Sequence, residues 1–251
     1  MRLDRALVAK LLFDTESDAQ EAIDERKVSV NGSIAISHGF MVAPSDELLV
    51  IVPPKYVSRG GSKLEAAIAE FDLDLKDMRV LDVGASTGGF TDCALQHGAR
   101  EVVALDIGKN LLHEKIAGDV RVAVVENTNA REINRFVKDN KPNFDKLFDI
   151  AVVDLSFISV HEVLGSVLSA LKSEGTVIVL VKPQFEASKN EADKASGVIT
   201  DSAIHSRVCQ EVAAMATGLG CDVQGIIQSP IRGHDGNHEF LLVAKCTRLS
   251  L

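Results

Sequence analysis

From residue 62 onward, the chain alternates short runs of branched apolar residues with helical stretches. The apolar runs are RVLDVG, VVALDIG, RVAVVE, FDIAVVDL and GTVIVLVKP. Continuous Val/Ile/Leu strands separated by helices are typical of a parallel sheet that is covered on both faces. Two further strands, near residues 221–228 and 239–246, are joined by the loop SPIRGHDGNH. Because this loop is too short for a crossover helix, we predict an α/β fold whose last strand is antiparallel.

The first fifty residues follow a different pattern. Two amphipathic stretches, MRLDRALVAK and SDAQEAIDE, precede the short strands VSVNG and ELLVIV. The Asn-Gly pair after the first strand is a strong hairpin signal. We therefore predict a small α+β domain over residues 1–52 and a larger domain over residues 62–251. Residues 53–61, which contain a doubled proline and a doubled glycine, form the predicted linker.

Charge and composition exclude several classes of protein. The formal net charge is −9, which argues against a uniformly basic nucleic-acid binder. No apolar run reaches the roughly 18 residues of a membrane span, and the N-terminus lacks a secretory apolar region, so we expect a cytoplasmic protein without membrane contact. The four cysteines lack CxxC spacing. We predict that they are reduced core residues and that no metal site is present.

The segment LDVGASTGGF leaves the first strand of the sheet and opens a helix. Its glycines allow a ligand to approach the backbone closely, and a helix N-terminus favours polar or anionic groups. Asp106 ends the next strand, where an acid can hold ribose hydroxyls. A dinucleotide loop needs a glycine where Ser86 stands, whereas Asp82 fits the acidic start of a loop that binds S-adenosylmethionine (SAM). We therefore favour SAM over NAD as the cofactor.

Four charged residues should meet at one edge of the sheet. Ligands of open α/β sheets bind outside the carboxyl ends of the parallel strands. Asp154 and Lys182 end the fourth and fifth strands, Glu239 begins the antiparallel one, and Lys63 starts the helix before the first strand. A lysine that is partly desolvated beside another cation can act as a base on a hydroxyl. We assign Lys182 as the base, the two acids as orienting groups and Lys63 as electrostatic support.

Several longer motifs carry a resemblance to a known family. YVSRGGSKL, LDVGASTGGFTDC, DLSFIS, VKPQFE and SPIRGHDGNHEFLL resemble the TlyA, or hemolysin-A-like, ribosomal RNA methyltransferases. The resemblance implies an S4 RNA-binding module joined to an FtsJ-like, Rossmann-like SAM-dependent methyltransferase domain. It also implies methylation of cytidine 2′-hydroxyls in 16S or 23S rRNA, so that rRNA or a ribosomal subunit would be the partner. It indicates no oligomeric state.

The resemblance also assigns residues. Its Lys-Asp-Lys-Glu catalytic set falls on the four residues found above from strand order. The cofactor-binding candidates are Asp82, Gly84, Ser86, Thr87, Gly88, Gly89, Phe90 and Asp106. The RNA-binding candidates are Arg2, Arg5, Lys55 and Arg59.

Other interpretations remain open from the sequence alone. The chain could be a non-catalytic S4-type RNA-binding protein, a membrane-active hemolysin-like protein or, least favoured, an NAD-dependent oxidoreductase. Phe157 and Phe185 follow the two proposed catalytic strand ends. These rings either stack on a base or pack in the core.

Overall fold

The computed structural model describes residues 1–13, 15–51, 55–233 and 235–247. The chain divides into two compact units, Met1–Lys55 and Tyr56–Leu251. Residues 56–61, which we predicted as part of the linker, belong to the second unit, where Tyr56 is buried. The doubled proline at positions 53 and 54 lies outside the described residues.

The first unit combines two helices with a three-stranded antiparallel sheet of order β2-β1-β3. Its elements are α1 (Leu3–Ala9), α2 (Glu16–Asp24), β1 (Val28–Val30), β2 (Ser33–Ile34) and β3 (Leu48–Val50). Asn31 and Gly32 have φ angles of 50° and 79°, the left-handed conformation that a two-residue type I′ hairpin requires. The predicted hairpin is confirmed. The apolar faces of both helices pack on β1 and form a separate small core.

The second unit is a seven-stranded sheet of order β6-β5-β4-β7-β8-β10-β9. Its strands are β4 (Arg79–Val83), β5 (Glu101–Leu105), β6 (Val122–Val125), β7 (Phe148–Val153), β8 (Leu171–Val181), β9 (Cys221–Gln228) and β10 (Phe240–Cys246). Its helices are α3 (Gly60–Glu70), α4 (Gly89–Gln96), α5 (Glu114–Ala117), α6 (Ile133–Lys138), α7 (Leu164–Leu168), α8 (Pro183–Glu186), α9 (Lys189–Lys194) and α10 (Ser202–Gly218).

Both faces of this sheet are buried, as predicted. Alternate residues of one strand enter different cores: Leu81 of β4 joins the core that includes α6, α7 and α10, whereas Val80 joins the core with α3 and α4. This division follows from the two-residue repeat of a strand. The continuous apolar runs arise because neither face of the central strands meets water.

Strand β10 is antiparallel to both of its neighbours, which confirms the prediction for the last strand. It lies between β8 and β9, and its first residue, Phe240, pairs with Val181 at the end of β8. Glu239 therefore precedes β10 at the edge where Lys182 follows β8. The reversed direction of one strand brings the start of β10 to the carboxyl ends of the parallel strands.

The prediction of four reduced cysteines is wrong for one pair. Cys221 and Cys246 form a disulfide, whereas Cys93 and Cys209 are free and buried. The bonded residues are direct partners in the antiparallel register of β9 and β10. Sequence spacing does not reveal the pair because 25 residues separate the two positions and only the register brings them together.

At the opposite edge of the sheet, buried Arg79 holds the start of β4. Its guanidinium donates to both carboxylate oxygens of Glu101 and to the carbonyls of Asn143 and Lys146. We expect Arg79→Met to lower the free energy of unfolding by about 3 kcal/mol, because it leaves these acceptors without their charged donor. Urea unfolding measures this change.

Arg100→Met is the matched control. Arg100 is half exposed and lies 3.7 Å from Asp149, and an exposed ion pair of this kind contributes about 1 kcal/mol or less. Equal losses in the two variants would contradict the role assigned to Arg79.

Candidate functional site

The four predicted catalytic residues lie together at the carboxyl edge of the sheet. Asp154 directly follows β7, Lys182 follows β8, Glu239 precedes β10 and Lys63 is in the first turn of α3. All four line one cavity of about 540 Å³, a size typical of ligand sites. The sheet therefore brings together side chains that are up to 176 positions apart.

The four residues form two lysine–carboxylate pairs. Lys63 Nζ donates to Glu239 Oε2 at 2.6 Å, and both side chains are buried. Lys182 Nζ lies 2.6 Å from Asp154 Oδ1, and Lys182 is also buried. Each ammonium thus has a counter-ion, which offsets the cost of removing charge from water. The two pairs contribute two cations and two anions to the cavity wall, and so no net charge.

Lys182 has a second partner that the sequence analysis missed. Its Nζ donates to Ser156 Oγ at 2.9 Å. Lys182 Nζ and Asp154 Oδ1 form an ion pair, but the angles at these atoms do not fit a hydrogen bond. The buried Asp154 Oδ1 therefore accepts no hydrogen bond from the described residues. Ser156 belongs to the motif DLSFIS, where its position two residues after Asp154 was the available signal.

The start of α3 is held against α4 by close backbone packing. A Cβ atom on Gly89 would meet Ser58 Oγ at 2.2 Å, and one on Gly61 would meet the Tyr56 ring at the same distance. Asp92 of α4 accepts a hydrogen bond from the Val57 amide at 2.8 Å. The contacts of the two Cβ positions require glycine at 61 and 89. The same packing brings Arg59 and Lys63, on either side of Gly61, to the cavity wall.

The loop after β7 is tied to α8. Glu186 accepts hydrogen bonds from Ser159 Oγ at 2.5 Å and from the Val160 amide at 2.8 Å. Within this loop Phe157 has a φ of 65° and is 91% exposed. The Phe157 ring lies 5.2 Å from that of Phe185, and both line the cavity. Core packing is therefore excluded for Phe157, while a contact with a ligand remains open.

A second cavity of about 600 Å³ adjoins the first and shares Gly84, Ser86 and Asp154 with it. Asp106 lines it and accepts hydrogen bonds from the amides of Ser86 and Gly108. The sequence analysis assigned no role to most of its remaining wall, which comes from loops after the strands; Leu155 and Ile158 lie in the motif DLSFIS. That wall includes Ile107, Leu111, Thr128, Asn129, Ala130, Leu155 and Ile158. This wall combines Asp106 with apolar side chains and with polar ones such as Asn129, a mixture that suits a nucleoside.

Two of the predicted cofactor-binding residues line neither cavity. Thr87, Gly89 and Phe90 line the first cavity, and Gly84 and Ser86 line both. Gly88 instead is the N-cap residue before α4, with a φ of 92°, and Asp82 is fully buried beneath the loop. Gly84 has a φ of 87°, and a Cβ there would meet the Asp154 carbonyl oxygen at 2.2 Å. Glycine at this position therefore lets the loop cross the end of β7.

Asp82 is linked to the loop through α4. Its Oδ2 accepts a hydrogen bond from Thr91 Oγ at 2.6 Å, whereas its Oδ1 is buried without a partner among the described residues. Burial raises the pKa of Asp82 to about 7, and the charges of Asp154 and Asp106 add to this, while the Thr91 hydrogen bond opposes it.

The four RNA-binding candidates are divided between the two units. In the first unit, Arg2 donates two hydrogen bonds to buried Asp4 and thereby holds the pKa of that carboxyl well below its usual range. Arg5 is exposed and lies 3.4 Å from Glu16, a weak surface pair. Lys55 is exposed at the end of this unit. Arg59 lines the first cavity of the second unit.

Comparison with known families identifies both units. Residues 56–246 match the FtsJ-like methyltransferase family, and residues 1–48 match the S4 domain. The chain belongs to the FtsJ-like methyltransferase family. The methyltransferase fold and the N-terminal S4 domain predicted from the sequence are confirmed.

Several known proteins are similar to nearly the whole of this chain. The 16S/23S rRNA (cytidine-2′-O)-methyltransferase TlyA of Mycobacterium tuberculosis is 36% identical over 96% of this chain and 88% of its own length. Hemolysin A of Brachyspira hyodysenteriae is also 36% identical, over 96% of this chain and 98% of its own. A solved structure, described as a "Putative hemolysin" from Streptococcus thermophilus, is 38% identical with a TM-score of 0.73, covering 98% of this chain and 88% of that one.

Helices within the described ranges are all too short or too polar to cross a membrane.

The buried Asp82 gives a testable pH dependence. Its pKa is raised in the folded protein, so between about pH 4 and pH 7 the unfolded chain loses this proton while the folded protein keeps it. The carboxyl therefore destabilises the fold increasingly as pH rises through that window. We expect the stability of Asp82→Asn relative to wild type to increase by about 3 kcal/mol between pH 5 and pH 8. Urea unfolding at both pH values measures it, and parallel curves for the two proteins would contradict it.

Proposed function

We propose that this methyltransferase transfers a methyl group from SAM to the 2′-hydroxyl of a cytidine in ribosomal RNA. The observation that carries the proposal is the pair of lysine–carboxylate contacts in one cavity, next to a second cavity suited to a nucleoside. The reaction named for TlyA, with 36% identity over nearly the whole chain, supports the choice of substrate. An enzyme with this substrate acts where ribosomes are made, so we expect it in the cytoplasm.

The second cavity has the chemistry that SAM needs. Asp106 has free lone pairs for ribose hydroxyls beyond its two backbone hydrogen bonds. Apolar side chains such as Ile107 and Leu111 suit the faces of an adenine ring. Gly84 and Ser86 line both cavities, so a cofactor held there would reach the first cavity with its reactive end. Bound SAM supplies an electrophilic methyl group on a sulfonium centre.

Lys182 is the proposed base for the ribose hydroxyl. As the carbon–oxygen bond forms, the 2′-oxygen must lose its proton. The Lys182 ammonium first releases its own proton to solvent, and the resulting amine then accepts the proton of the hydroxyl. Asp154 and Ser156 hold Nζ in place at 2.6 and 2.9 Å. Lys63, paired with Glu239, supplies a fixed positive charge that stabilises negative charge developing on the oxygen. Burial excludes water, which strengthens these interactions.

The walls of the first cavity fit the remainder of a nucleotide. Arg59 lines the cavity in an exposed segment and suits a backbone phosphate. The exposed ring of Phe157, supported by Phe185, suits the face of a base. The first unit carries Arg2, Arg5 and Lys55 as candidate phosphate contacts. Because these basic residues are few, the affinity for RNA should depend only modestly on salt.

Methyl transfer to defined RNA tests the proposed function. We expect tritiated SAM and unmodified ribosomal subunits or naked rRNA to give label in 2′-O-methylcytidine, identified by nuclease digestion and mass spectrometry. Label only in bases would contradict the ribose assignment. SAM binding by calorimetry with no methyl transfer to any rRNA would indicate a non-catalytic RNA-binding protein.

Replacing Lys182 tests the proposed base. We expect Lys182→Met to reduce methyl transfer by about 10²-fold or more, the usual contribution of a general base, with SAM affinity within a factor of three of wild type. Single-turnover transfer and calorimetry measure the two quantities.

Lys172→Met provides the matched control. Lys172 also pairs with an aspartate, Asp149, at 2.6 Å, but does so near the start of β8, away from the cavity. This variant should keep wild-type transfer. A Lys182→Met enzyme as active as the control would rule out Lys182 as the base.

A further inference from the structure

Glu239 is held in place by the loop that precedes it. Its Oε2 accepts the hydrogen bond from Lys63 at 2.6 Å, and its backbone carbonyl accepts one from the Ser229 amide at 2.8 Å. Gly233 lies against the second carboxylate oxygen, since a Cβ atom there would be 2.6 Å from Glu239 Oε1. The Gly233 amide in turn donates to the backbone carbonyl of Asn237 at 2.9 Å. The position of the carboxylate therefore depends on where Gly233 and Asn237 are held.

Asn237 fastens this loop to another part of the chain. The residue is almost fully buried, with 1% of its surface exposed. Its Oδ1 accepts a hydrogen bond from the Ile199 amide at 2.9 Å, and its Nδ2 donates one to the Gly197 carbonyl at 2.8 Å. These contacts fix the orientation of the side-chain amide, because a half-turn would set donor against donor and acceptor against acceptor. Asn237 thus holds the loop in one arrangement.

The segment that Asn237 contacts is itself tied to two helices. The Gly197 amide donates to the carbonyl of Ala192 in α9 at 3.0 Å. The Ile199 carbonyl lies 2.9 Å from Nε2 of His205, a buried residue of α10, and Ile199 is buried as well. Helix α10 belongs to the core beneath the sheet. The loop before Glu239 is therefore anchored to the packed body of the domain.

The contact that this anchor supports is the ion pair between Lys63 and Glu239. Both side chains are buried, so the ammonium depends on the carboxylate to offset its loss of hydration. In the proposed function, Lys63 supplies the fixed positive charge at the reacting oxygen. A misplacement of about 1 Å in such a site can slow a reaction by about a hundredfold. The loop that carries Glu239 therefore needs a support that does not come from the ion pair itself.

We propose that Asn237 is a positioning residue for methyl transfer. Its side-chain amide holds the loop before β10 so that Gly233 keeps the Glu239 carboxylate against Lys63. Asn237 is not among the described residues that line the cavity, so it acts on the reaction through Glu239. This inference rests on the proposed function and adds a residue on which its site depends.

A double-mutant cycle separates positioning from support of the fold. The four proteins are wild type, Asn237→Ala, Glu239→Gln and the double variant. The quantity measured is the single-turnover rate constant of transfer from tritiated SAM to unmodified ribosomal subunits, with the enzyme in saturating excess. Under that condition the rate constant does not depend on the fraction of enzyme that is folded.

We expect Asn237→Ala to lower the rate constant by about tenfold to a hundredfold, with SAM affinity within a factor of two of wild type. Glu239→Gln should lower it at least as much, because the negative charge itself is lost. The double variant should be no more than about threefold slower than Glu239→Gln, since residues that act through one contact are not additive. If the two losses multiplied, Asn237 would act by another route and the inference would be overturned.

Arg79→Met is the control for lost stability. It also removes buried hydrogen bonds, but at the opposite edge of the sheet. At a temperature where this variant is folded, its rate constant should equal that of wild type. Combined with Glu239→Gln, it should add no further loss.

Gly233→Ala carries the test if Asn237→Ala does not fold. The new methyl group would displace the end of the Glu239 side chain and leave the amide contacts of Asn237 in place. Transfer should again slow by about tenfold or more, with little additional loss in the Glu239→Gln background. A wild-type rate constant in either folded variant overturns the inference alone. Absence of methyl transfer by the wild-type enzyme would overturn the proposed function as well, so the two failures are distinguishable.

Discussion

The antiparallel pairing of β10 with β8 is the constraint on which the site depends. Phe240 pairs with Val181, so the residues just beyond this pair, Glu239 and Lys182, lie opposite each other at the edge of the sheet. A parallel strand in the same position would start at the far edge and carry its acid away from the cavity. Glu239 is also the partner that allows Lys63 to be buried, since an unpaired ammonium would be costly there. This ladder places Glu239 at the edge where Lys182 lies, and the parallel pairing of β7 with β8 places Asp154 beside Lys182.

Much of this arrangement could be predicted from sequence because it follows from strand order. The apolar runs locate the strands, and the short loop before Glu239 sets the direction of β10. Once those are known, Asp154, Lys182 and Glu239 must share an edge, and the structure agrees. The glycine-rich loop was equally readable, because its glycines and the following helix form a local unit.

Other features depend on contacts that no local pattern encodes. The Cys221–Cys246 bond requires the register of two strands. Ser156 contacts Lys182 only because the ends of β7 and β8 are neighbours. Asp82 was assigned to the cofactor from its position in the motif, but the alternation of β4 points its side chain into the protein, where Thr91 binds it. Sequence reasoning locates strand ends better than it locates the direction of a side chain or the walls formed by irregular loops.

The left-handed backbone of Phe157 lowers the conformational entropy that is lost when a ligand binds. Such a conformation is unfavourable for a bulky residue, and it persists here because Glu186 fixes the following residues. The ring is therefore already projected into solvent before any ligand arrives. An aromatic side chain has only two rotatable torsions, so little conformational entropy is left to lose on contact. The conformational entropy of this surface is lost when the chain folds, so a nucleotide binds to a preorganised aromatic surface.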